Sequence, residues 1–176
     1  MSMVGYILRV TPEQARQLNA QPKIIPDILS KSAGHDDSTG NTPSKFGKIA
    51  AALDLQQSWH VLHYLLCGEA YQGEAPADTL LSGDEIGPDM GYGPARYVTP
   101  DETLAFSEFL LPLDYDTLTS KIDLNRMRSL HVYLVSKTSE QDRAFLIEYV
   151  RPHFISLKDY IARAAADGGG YFFWIW

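Results

Sequence analysis

The last six residues, Tyr171-Phe172-Phe173-Trp174-Ile175-Trp176, restrict the fold more than any other segment of the chain. They follow Asp167-Gly168-Gly169-Gly170, a run suited to reversing the chain. Side chains of a strand alternate between its two faces, so a strand that is apolar at every position has no face for water. It fits the middle of a sheet covered on both sides. Burying even half of these aromatics stabilises the fold by several kcal/mol, at about 25 cal/mol per Å².

The rest of the chain supplies partners for that strand. Val4, Tyr6, Leu8 and Val10 alternate with Gly5, Ile7 and Arg9, which predicts an opening strand. Thr11-Pro12-Glu13-Gln14 then reads as a helix start: Thr11 caps, Pro12 takes the first helical position and Gln14 completes a capping box. The same grammar recurs at Tyr97-Val98-Thr99-Pro100-Asp101-Glu102. Leu55, Trp59, Leu62 and Leu66 share one face of a helix that Gly68 ends. Leu130, Val132 and Leu134 alternate as a further strand would. Thr138-Ser139-Glu140-Gln141 reads as a third capping box, opening the stripe Ile147, Val150, Phe154, Leu157, Ile161, Ala164. That stripe keeps phase across Pro152, so one long kinked helix is expected. Residues 31–45, rich in Ser, Gly, Asp and Pro, are expected to form a mobile loop. The sum is a single compact α+β domain over residues 1–176, with a small sheet of about four strands and about six helices. Its long kinked C-terminal helix leads into the apolar last strand.

Composition enters through charge. Between Asp54 and Asp116 there are twelve acids and one base, Arg96, a net −11. Residues 1–53 hold six bases to four acids and residues 117–176 eight to six, so each flank is +2 and the total is −7. A field of this sign disfavours nucleic acid and favours cationic partners. One cysteine, Cys67, excludes an internal disulfide framework and fits a reducing compartment. The start Met1-Ser2-Met3-Val4-Gly5-Tyr6 lacks the features of a signal peptide, and no apolar run is long enough to span a membrane. A bacterial-type cytoplasmic location is expected.

Chemistry-bearing patterns are sparse. His60 and His63 stand three apart on the Trp59 helix, close enough to share an ion, but no HExxH pattern or third ligand accompanies them. Satisfied, partly buried histidines are the expectation. Cys67 falls at a helix C-terminus, the end that disfavours a thiolate. Gly91-Tyr92-Gly93-Pro94-Ala95-Arg96 lacks the Gly-Lys-Ser/Thr of a phosphate loop, and Asp84, Glu85 and Asp89 would repel an anion. A rigid turn with an Arg–carboxylate pair is the expectation there. The three acids do not make an EF-hand, and His35-Asp36-Asp37 sits in the expected loop. No metal or cofactor is implied.

Ser58-Trp59-His60-Val61-Leu62-His63-Tyr64-Leu65-Leu66-Cys67-Gly68, the opening Met1-Ser2-Met3-Val4-Gly5-Tyr6, and Ile86-Gly87-Pro88-Asp89-Met90-Gly91-Tyr92-Gly93-Pro94-Ala95-Arg96 resemble the YfbM-like family, domain of unknown function 1877. The resemblance covers nearly the whole chain. It implies a small bacterial cytosolic α+β protein and no particular reaction.

Three functions compete. The first is a non-catalytic binding module, most concretely an immunity-type protein that neutralises a basic toxin such as a nuclease through an acidic surface. Its contact residues would be Asp84, Glu85, Asp89, Tyr92, Arg96, Glu74 and Tyr71, with acids speeding encounter and tyrosines anchoring. The second is a small hydrolase or metal-dependent enzyme using His60, His63 and nearby carboxylates. The third is a structural or regulatory subunit of a homo-oligomer. The partner expected is a basic protein, with neither nucleic acid nor membrane.

Overall fold

A computed structural model describes residues 2–34 and 46–176. Its sheet has five strands, β1 (Gly5–Val10), β2 (Leu53–Asp54), β3 (Asp84–Ile86), β4 (Ala95–Val98) and β5 (Gly170–Ile175), in the order β2-β1-β5-β4-β3. Every neighbouring pair is antiparallel. β5 is central, as its two-sided apolar pattern requires. It pairs along its whole length with β1, from Gly5 opposite Ile175 to Val10 opposite Gly170.

The alternation of side chains divides the interior into two cores. Tyr171 and Phe173 of β5, with Ile7 of β1 and Val98 of β4, face the larger core. It is closed by α3 (Trp59–Cys67), α4 (Pro100–Leu110), α5 (Tyr115–Thr119), α6 (Leu124–Ser129) and α7 (Arg143–Ala166). Phe172 and Trp174, with Tyr6, Leu8 and Val10, face the smaller core beneath α1 (Pro12–Ala20) and α2 (Ile25–Ser32). There the Trp174 indole stacks on Tyr6 at a centroid distance of 5.3 Å.

Local grammar set most helix starts. Thr11–Gln14 and Thr99–Glu102 form the two expected capping boxes, each with Pro in the first turn. α7 is one helix with Pro152 inside it and buries Leu146, Val150, Phe154, Leu157, Ile161 and Ala164. Its inward stripe thus begins at Leu146 rather than Ile147, which is half-buried against the core. The third capping box is shifted by one residue: Ser139 and Asp142 form it, because an aspartate in the third position reaches back to the Ser139 amide.

Two expectations fail. Leu130, Val132 and Leu134 do not form a strand: His131 and Leu134 have φ of 58° and 77°, left-handed values that interrupt any extended run. The segment is a turn leading into a short 3-10 helix at Val135–Lys137. The sheet therefore takes its extra strands from elsewhere, the two-residue β2 and the acidic β3. Lys31 and Ser32, expected in a loop, close α2, and Ala33 and Gly34 turn out of it. The remainder of the expected mobile loop, with His35-Asp36-Asp37, lies outside the described residues. Among those residues, no helix is long and apolar enough to cross a membrane.

Because β5 contributes to both cores, deleting Tyr171–Trp176 is expected to abolish soluble expression. A truncated protein with an undiminished thermal transition would show that the strand is dispensable.

Candidate functional site

The chemistry-bearing segment begins at α3, where every residue from Trp59 to Leu66 is buried. Trp59 packs directly on the β1 backbone. A Cβ on Gly5 would lie 2.7 Å from the Trp59 Cβ, so only glycine permits this approach. The Trp59 indole N–H donates to the Met3 carbonyl at 3.2 Å.

His60 is clamped between two backbone groups. The Tyr133 amide donates to Nδ1 at 2.8 Å, so Nε2 carries the proton and donates to the Ala70 carbonyl at 2.6 Å. The ring lies flat against Trp59, with centroids 4.7 Å apart, and Tyr71 packs on it at a tilt, also at 4.7 Å. Both nitrogens are occupied, so His60 joins the loop after α3 to the turn at Tyr133. Burial lowers its pKa.

His63 is fully buried, and its Nδ1 has no hydrogen-bond partner. Burial lowers its pKa to about 4, with His60 and Arg96 adding to the effect. Its Nε2 stands 3.3 Å from Cys67 Sγ. Burial also pushes the Cys67 thiol up, and the thiol contacts the His63 carbonyl at 3.2 Å. The pair is a neutral imidazole beside a neutral thiol, without an activated nucleophile. Among the described residues, no group of three or more His, Cys, Asp or Glu side chains could hold a metal ion.

The Gly-rich segment is a hairpin. β3 and β4 pair with Glu85 opposite Arg96, and residues 87–94 connect them. Asp89 Oδ1 accepts from the Gly91 amide at 2.6 Å and the Gly93 amide at 3.1 Å. The Met90 amide donates to the Gly93 carbonyl at 3.0 Å. Gly91 and Gly93 have φ of 114° and 97°, which a side chain would strain. Tyr92 stands between them, 42% exposed. Arg96 donates to the Leu81 carbonyl and reaches Glu85 at 3.3 Å, which is the expected Arg–carboxylate pair.

The predicted contact residues thus fall in two places. Asp84, Glu85, Asp89, Tyr92 and Arg96 share the hairpin. Tyr71 and Glu74 lie on the loop after α3, beside Ser129, Leu130 and His131, with Tyr71 62% exposed. Asp84 and Glu85 belong to the edge strand β3 rather than to a loop. Much of the acidic block is engaged internally. Glu69 pairs with Arg126 and Asp116 with Arg151, Glu102 and Asp114 cap helices, and Asp54 holds Gln56. The pinning role of Asp89 was missed from sequence, although an aspartate two and four residues before glycines is a usable signal for such a turn.

A model of the family described as Domain of unknown function (DUF1877) matches residues 1–174. No curated protein matches the chain. Among solved structures, a protein of unknown function, YfbM from Escherichia coli, is similar: the TM-score is 0.66 at 18% identity, over 98% of this chain and 99% of that one. At that identity the likeness is one of fold.

The buried histidines give a pH prediction. His63 titrates near its ordinary 6.5 when unfolded and near 4 when folded. Between these values the unfolded chain binds more protons, so stability is present above about pH 6.5 and is lost as the pH falls toward 4. For His63 the loss is on the order of 3 kcal/mol. Urea denaturation at pH 7.5 and 4.5 should show this drop, and His63→Leu should reduce it. An equal drop in the variant would place the acid sensitivity elsewhere.

Proposed function

The chain belongs to the DUF1877 family, and we propose that it is a non-catalytic protein-binding module of the immunity type, which neutralises a basic toxin through an acidic surface. The observation that carries this reading is the pinned hairpin. Asp89 fixes the loop backbone by accepting two amide hydrogen bonds, and Tyr92 stands exposed between two glycines of positive φ. A loop ordered before binding loses little further entropy on association, and an exposed tyrosine supplies a rigid anchor. Asp84, exposed on the edge strand and without an ion pair among the described residues, adds a negative charge that would speed encounter with a basic partner. Glu74 and Tyr71 would widen the contact from the neighbouring loop.

The alternative, a hydrolase or metal enzyme built on His60 and His63, draws less support. Both histidines are fully buried, one has both nitrogens occupied by backbone, and neither reaches a surface cleft. Cytoplasmic location remains part of the proposal and follows from the reducing environment that a lone thiol suits.

The internal roles of Glu85 and Asp89 decide how to test the reading. Changing either would loosen the hairpin itself, so Asp84 and Tyr92 are the informative positions. With a basic partner recovered from the native host, Tyr92→Ala should weaken binding by at least about ten-fold with the thermal transition unchanged. Asp84→Asn should slow association and flatten its salt dependence. Surface plasmon resonance at two ionic strengths measures both. Unaltered affinity in the tyrosine variant would remove the hairpin from the interface.

A further inference from the structure

The outer face of α4 is unusual for a surface helix. Asp101, Leu104, Glu108 and Leu111 recur at spacings of three, four and three, so they form one stripe along the helix and its end. All four are exposed, Leu104 at 50% and Leu111 at 74%. The opposite face, Thr103, Phe106 and Leu110, is buried in the larger core. Ile155 of α7, 59% exposed, extends the apolar surface. It precedes by one helical turn Lys158, whose ammonium donates to the Leu111 carbonyl at 3.0 Å. α4 and α7 pack against each other, and the other exposed apolar side chain of α7, Phe145, lies near its start, where it stacks on Tyr149.

Of the two charges on this face, Asp101 sits in the first turn, where the helix dipole favours it, and Glu108 has no such support. Glu108 lies in the second half of α4, toward the end where the helix dipole disfavours an anion, and the last turn contains no basic residue. Asp101 and Glu108 have no ion pair among the described residues. Lys158, at the end of this face, donates to the carbonyls of Leu111 and Leu113 and forms no ion pair with Asp101 or Glu108.

We propose that the Asp101–Leu104–Glu108–Leu111 stripe, with Ile155, is a docking face for a basic amphipathic helix. The two leucines, about 10 Å apart along the axis, match the spacing of apolar side chains two turns apart on a partner helix. Lysines or arginines flanking that apolar row would meet Asp101 and Glu108, and would relieve the unfavourable position of Glu108. A second copy of this chain fits poorly, because a two-fold contact would present the same stripe, which holds no cation to meet Asp101 and Glu108. An anionic membrane would be repelled by the same groups. This face is separate from the hairpin, and the inference stands whether or not Tyr92 binds a toxin.

The test is titration of isotope-labelled full-length protein with a synthetic helical peptide of leucine on one face and lysine on the other, followed by NMR. Amide shifts are expected in α4 and in the Arg151–Asp159 part of α7. Leu104→Ser with Leu111→Ser should weaken binding by at least about ten-fold. Asp101→Asn with Glu108→Gln should also weaken it and remove most of its salt dependence. Tyr92→Ala should leave peptide binding unchanged. Shifts centred on the hairpin, or full affinity in the double leucine variant, would overturn the proposal. So would concentration-dependent broadening of the α4 amides without peptide, which would assign the face to a second copy.

Discussion

The pairing of β1 with β5 is the constraint on which the rest of the structure depends. It brings the two ends of the chain together at the middle of the sheet, with six residues of each strand in register. Neither strand offers a face to water, so helices must cover both sides. The chain does this unevenly, with α1 and α2 on the small side and five helices on the large side. Each close approach then follows from a local feature. Gly5 lets Trp59 lie against β1, and Gly170 lets β5 pass β4, where a Cβ would stand 2.3 Å from the Val98 carbonyl. Because the two strands of the central pair are separated by about 160 residues, the sheet cannot form until β5 has been made.

Polar groups in the large core are used to join elements. His60 satisfies two backbone groups that belong to different loops, and Tyr171 donates its buried hydroxyl to the Thr79 carbonyl at 2.7 Å. Unpaired, these backbone groups would each destabilise the fold by about 1–3 kcal/mol. The segment that looks most chemical in the sequence is therefore largely structural. The acidic block behaves similarly: its members cap helices, pair with arginines, and hold the hairpin turn. Among the described residues, a smaller set of carboxylates, including Asp84, Asp101 and Glu108, has no ion pair.

The two surfaces proposed for binding, the hairpin and the outer face of α4, follow one another in the chain through Thr99. The two surfaces differ in kind. The hairpin is a narrow, rigid projection with one aromatic side chain. The α4 face is a broad amphipathic strip whose apolar and acidic residues alternate along a helix.

Sequence periodicity by itself determined the central strand, the opening strand, the capped starts of α1 and α4, and the long C-terminal helix. In each case the signal is local: a 2-residue or 3.6-residue period, or a side chain that reaches its own backbone three residues away. The Arg–carboxylate pair beside the glycines was legible for a similar reason, since residues that flank a short hairpin must meet. Tertiary structure decided what periodicity cannot. Leu130, Val132 and Leu134 alternate like a strand, but packing of Val132 in the core and left-handed backbone at His131 and Leu134 make a turn. Asp84 and Glu85 carry no apolar pattern, yet the open edge of β4 draws them into a strand. The sequence placed His60 and His63 beside an apolar stripe, but only the fold supplied the Ala70 and Tyr133 backbone groups that occupy His60. Contacts of that kind join residues far apart in sequence, and no local spacing encodes them.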